Sequence, residues 1–120
     1  LVLQPLGMKD SRFSRAALSR PVAYSQMNSF DGGRWEAPPL ELGTPAAGSL
    51  YTSAVELARF GQAMLRRGAL DKGRLLSEAS LAEMWREQYA APGGRRFGLG
   101  FGLGELDGQR TVGHGGAVYG

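Results

Sequence analysis

Cysteine is absent from this chain of 120 residues, which excludes disulfides, thiolate metal ligation and a cysteine nucleophile while leaving the redox compartment open. Histidine occurs once, at His114, and one imidazole among scattered carboxylates offers no spacing that would hold a metal ion. No constellation for a cofactor is present. Long apolar runs are missing too: none approaches the roughly 20 residues that cross a bilayer. Association with a membrane by other means stays open. Charge of one sign is scarce, since 14 basic and 11 acidic residues leave a formal balance of +3. The pairs Arg66-Arg67 and Arg95-Arg96 are separated by acidic residues rather than gathered into a stripe, so no nucleic-acid partner is expected.

What is present is ordinary globular material, 42% hydrophobic and 21% charged, enough for one small domain or part of a larger one. The 19 glycines and six prolines concentrate before residue 50 and after residue 92, so the regular helices belong between. Three regions follow: a loop-rich segment over 1–50 with a short helical end at 1–4, a helical pair over 53–90, and a β-hairpin over 95–120. Leu1 is not a methionine, and residues 113–120 read as strand and turn without a closing element. The expectation is a piece of a longer protein, whose remaining chain is its first partner.

Ser53 and Glu56 have the spacing of a capping box, and the helix they open is expected to bury Leu57, Gly61, Met64 and Leu65 before stopping at Gly68. Ser77 starts a second helix, with Leu76 and Leu81 spaced as a hydrophobic staple and Leu81, Met84 and Trp85 continuing the buried stripe. Asp71-Lys72-Gly73 makes the turn between them. Residues 96–105 alternate apolar side chains at Phe97, Leu99, Phe101 and Leu103 with Gly98, Gly100, Gly102 and Gly104, the period of one strand with a bared face. Either a tightly packed helix or a ligand would use that face. Asp107-Gly108 is a hairpin turn, and it pairs Leu106 with Gln109, Glu105 with Arg110 and Leu103 with Val112. His114 then falls opposite Phe101. The aromatics Tyr24, Phe30 and Trp35 are expected to pack an irregular segment, with a cleft rim as the other reading.

Several short motifs stand in a telling order: Pro5-Leu6-Gly7-Met8-Lys9-Asp10-Ser11, then Ala47-Gly48-Ser49-Leu50-Tyr51-Thr52-Ser53 with Glu56-Leu57-Ala58-Arg59-Phe60. Leu70-Asp71 with Arg74-Leu75-Leu76-Ser77 follows, then Phe97-Gly98-Leu99-Gly100-Phe101 and Gly113-His114-Gly115-Gly116. Together they resemble the serine beta-lactamase and penicillin-binding-protein superfamily, most of all its class C-like branch, which includes esterases and D-aminopeptidases.

The resemblance implies an α+β (mixed α/β) fragment of the beta-lactamase/transpeptidase-like fold, with two amphipathic helices beside a C-terminal antiparallel hairpin. It implies a serine hydrolase working through an acyl-enzyme on a beta-lactam, an ester or a D-alanyl peptide, in the periplasm or outside the cell. His114, Gly115 and Gly116 would fill the third motif of that family, the imidazole lining the cleft and the glycines letting substrate lie along the strand. The backbone N–H of Ala117 would be an oxyanion-hole donor.

None of the nine serines has a lysine three residues later, so the nucleophile motif of the family does not occur in the chain. Tyr24-Ser25-Gln26 departs from the family's Tyr-x-Asn in residue and in order. The chain alone is therefore expected to be inactive, with serine, lysine and tyrosine supplied from upstream. The other reading is a non-catalytic relative that keeps the fold as a peptidoglycan- or protein-binding module.

Overall fold

The computed structural model of the protein describes residues 1–19, 21–38 and 45–116. Two compact units divide between Gly61 and Gln62.

In the first unit, residues 3–7 form a sequence of turns and not the expected helical end, closed by Gly7 N–H to the Gln4 carbonyl at 3.0 Å and Met8 N–H to Leu3 at 2.9 Å. A single 3₁₀ turn at Arg15–Ala17 follows. The strands β1 (Gln26–Asn28) and β2 (Arg34–Glu36) then pair antiparallel, Met27 against Trp35. Their turn is held by Asp31, whose carboxylate accepts the Ser29 hydroxyl and the Gly33 N–H; these bonds, the hydroxyl first, keep it below the ordinary aspartate range. This hairpin was not expected in a segment read as loops. Its aromatics do not pack inward: Phe30 is fully exposed, and Trp35 and Tyr24 are about half exposed. A short helix, α1 (Pro45–Gly48), leads to the longer α2 (Ala54–Leu65).

Ser53 caps α2 by accepting the Glu56 N–H at 3.2 Å, which is one half of a capping box. The other half is missing because the Glu56 side chain turns to the 10–11 segment instead. The buried positions of the helix are Glu56, Ala63 and Met64, whereas Leu57 and Leu65 of the anticipated stripe are exposed. Gly68 N–H reaches the Ala63 carbonyl at 2.7 Å and Arg67 N–H reaches Met64 at 3.0 Å, a Schellman closure with Arg67 at φ 54° and Gly68 at φ 82°.

The second unit continues through a tight turn, Leu70 N–H to the Gly73 carbonyl at 3.1 Å, to α3 (Glu78–Met84). Ser77 caps it, accepting the Ser80 N–H at 3.0 Å, and Leu81 is the most deeply buried apolar side chain among the described residues, 1% exposed. Beyond α3 lies a four-stranded antiparallel sheet in the order β3 (Tyr89–Ala90), β4 (Arg96–Phe97), β5 (Gly102–Leu106), β6 (Gln109–Gly113). The hairpin of β5 and β6 has the anticipated register, Leu106 opposite Gln109, Glu105 opposite Arg110 and Leu103 opposite Val112. Asp107 and Gly108 both take positive φ, 51° and 74°, as that two-residue turn requires.

Residues 96–105 are not one strand. The chain reverses at 98–101, where Gly98 N–H bonds the Phe101 carbonyl at 2.8 Å and Gly100 sits at φ 74°, so β4 pairs back onto β5. The end of α3 holds this reversal: Leu99 N–H donates to the Met84 carbonyl at 2.8 Å. A Cβ on Gly98 would collide with that same carbonyl. Of the two readings for the bared strand, helix packing explains Gly98.

Candidate functional site

Among the described residues strand β6 stands at one edge of its sheet, and the Asp107-Gly108 turn fixes which residue ends the ladder. The last pair is Gly102 with Gly113. His114 comes next, level with Phe101 by register but already past the paired backbone. His114, Gly115 and Gly116 are all exposed. A side-chain carbon built on Gly113, Gly115 or Gly116 would meet no atom within 4 Å, and none of the three takes the left-handed backbone that favours glycine. The sequence thus leads out of a paired hairpin into an open stretch that carries one imidazole.

Chemically this stretch offers an outer strand for pairing with an extended chain. The imidazole beside it can donate or accept a hydrogen bond. Ala117, the expected oxyanion donor, lies outside the described residues. Tyr24 is engaged elsewhere: its hydroxyl accepts from Arg15 Nη2 at 2.7 Å, and the same guanidinium stands over its ring at 5.1 Å.

The structure also gathers a polar cluster that spacing alone did not reveal. Glu56, buried on the first turn of α2, accepts the Asp10 N–H at 3.1 Å on Oε1 and the Ser11 hydroxyl at 2.6 Å on Oε2. Ser11 has one hydroxyl proton and gives it to Glu56, so Thr52 is the donor in its 2.7 Å contact with Ser11 Oγ. The Ser11 hydroxyl most of all, then the Asp10 N–H and, more weakly, the Arg59 charge hold the Glu56 carboxyl below the ordinary glutamate range, against the opposing effect of burial. Ser11 is 1% exposed, so this serine–carboxylate pair is a structural tie and presents no hydroxyl to a substrate. Its only signal in the sequence was Glu56 three residues after a cap.

The Beta-lactamase family model matches residues 1–120. A solved structure described as the octameric penicillin-binding protein homologue from Pyrococcus abyssi resembles the chain with a TM-score of 0.79 and 25% sequence identity, over 94% of this chain and 26% of that one. The chain thus spans about a quarter of the length of that homologue. No curated protein matches it. The helices and antiparallel sheets fit a fragment of the beta-lactamase fold. The match over the whole length, with the motifs in their expected order, makes this chain a member of the beta-lactamase family.

Proposed function

We propose that the chain supplies the central helices and the third motif of a serine hydrolase that works through an acyl-enzyme on a beta-lactam, an ester or a D-alanyl peptide. Within the family we place it in the class C-like branch, with the esterases and D-aminopeptidases, and we place the protein in the periplasm or outside the cell. One observation carries the reading: His114, Gly115 and Gly116 follow the end of β6 exposed to solvent, although no packing within the described residues requires glycine at Gly115 or Gly116. Glycine there suits a substrate that lies against the backbone.

In this reading a serine from outside the 120 residues attacks the carbonyl carbon and gives its proton to a partner lysine. The C–N or C–O bond of the substrate then breaks, its nitrogen or oxygen takes up that proton, and the acyl-enzyme is left. Water then hydrolyses the ester. The β6 edge holds the extended substrate through its backbone, His114 hydrogen-bonds the substrate from the cleft wall, and the Ala117 N–H takes the developing oxyanion. The 120 residues alone contain no Ser-x-x-Lys and are inactive.

The test is covalent labelling of the complete protein with a fluorescent penicillin and a fluorophosphonate, followed by kinetics of His114→Ala. Labelling of a serine upstream, with turnover lowered at least tenfold in the variant while thermal unfolding is unchanged, supports the reading. Absence of labelling by either probe favours a non-catalytic module that binds peptidoglycan or protein. Unchanged kinetics in His114→Ala remove the imidazole from the mechanism.

A further inference from the structure

Two charged residues on one face of α2, Glu56 and Arg59, hold a single segment at two points. Arg59 donates to the carbonyl of Gly7, and Glu56 accepts from the Asp10 N–H and the Ser11 hydroxyl. The cation meets a carbonyl and the anion meets donors, so each charge is matched to the backbone group it faces, and the two lie 3.9 Å apart as an ion pair. Thr52 closes the cluster through Ser11, and the bridge between Arg12 and Tyr51 continues the same contact by backbone, with N···O distances of 3.0 and 2.8 Å. Arg59 on the helix is the charge that acts on Glu56, and the segment it faces carries Lys9, Asp10 and Arg12. Arg12 is directed to the Lys9 and Ser11 carbonyls, at 2.6 and 2.8 Å.

We propose that Glu56 and Arg59 form an acid-released clamp: protonation of Glu56 frees segment 7–12 from α2 as a local opening, while the second unit stays folded. Ionised, the carboxylate accepts two hydrogen bonds with charge assistance. Neutral, it turns one oxygen into a donor and no longer serves both Asp10 and Ser11 as an anion. In the open segment Glu56 regains the ordinary glutamate value. Its value in the closed state is lower. The contribution of the clamp is therefore complete above the ordinary value and is lost as pH falls through the lowered one. Arg59 keeps its charge throughout, so the segment is released first at the Asp10–Ser11 end.

The experiment is a pH titration by NMR of the labelled protein, following the Glu56 carboxyl carbon and the protection factors of the Asp10, Arg12 and Leu99 amides. The expected result is that protection at Asp10 and Arg12 falls with the Glu56 midpoint, by about tenfold for each unit by which that midpoint lies below the ordinary value. Leu99, bonded to Met84 in the second unit, keeps its protection over the same range. Asp10→Asn preserves this behaviour, because it changes a neighbouring carboxyl and leaves the N–H in place. Glu56→Gln lowers Asp10 protection at neutral pH and abolishes the dependence. The clamp is overturned if Leu99 loses protection in step, if the Asp10 and Glu56 midpoints differ, or if Glu56→Gln titrates like the parent. Should that variant fail to fold, coincidence of the Glu56 and Asp10 midpoints in the parent decides the matter.

Discussion

The glycines at the turns of the second unit and those at the end of β6 are chemically identical and have opposite explanations. At Gly68 the backbone is left-handed and a Cβ would strike the Leu76 carbonyl; at Gly98 it would strike that of Met84. Neither main-chain atom can step aside like a flexible side chain, so these positions are fixed by the fold. Gly113, Gly115 and Gly116 have open space around them and an ordinary backbone. No contact within the described residues calls for glycine there, and the proposed function assigns that openness to a substrate lying along the backbone. The contrast separates glycines that the packing of the unit requires from glycines that it does not.

The comparison can be broken by alanine. Gly68→Ala is expected to be the most damaging, since it adds a left-handed cost of about 1–2 kcal/mol to the collision with Leu76, for a total loss on the order of 3 kcal/mol. Chemical denaturation measures it, and a loss below about 1 kcal/mol would show that the turn relaxes freely. Gly98→Ala follows, at about 2 kcal/mol, because the collision is present without the left-handed penalty. Its Leu99 amide should lose exchange protection as the Met84 contact is pushed away. The smallest effect belongs to Gly115→Ala and Gly116→Ala, which should shift unfolding by no more than about 0.5 kcal/mol, as exposed positions do. In the complete protein these two should nevertheless weaken substrate turnover, and normal kinetics in both would end the argument for a bared binding strand.

Local chemistry was readable and folded-back chemistry was not. Asp107-Gly108 announced its hairpin and the partners of Leu103, Glu105 and Leu106, and Ser77 announced its helix, because each signal acts at short range. The ladder nevertheless stops at Gly113, before His114 can pair with Phe101. The reversal at 98–101 was hidden, since alternation of Phe, Leu and Gly is the same whether the chain runs on or turns; the positive φ of Gly100 decides it and leaves no distinct mark in composition. Strands β1 and β2 are three residues each, too short for periodicity, although Asp31-Gly32-Gly33 is a turn signal between them. Glu56 had a readable local role and was taken by a segment 45 residues away in sequence. For the candidate site, His114-Gly115-Gly116 was visible from its order among the family's motifs. Its exposure was not, because a lone histidine in a glycine stretch reads equally as buried or open.

Arg67 closes α2 in a conformation that glycine usually occupies, with its guanidinium on Glu78 and its own carbonyl accepting from Arg74. The Arg67–Glu78 ion pair is largely solvent-exposed, so dissolved ions compete with it. The helix boundary is thereby coupled to ionic strength. Brine would loosen the terminus slightly, and dilute buffer would tighten it.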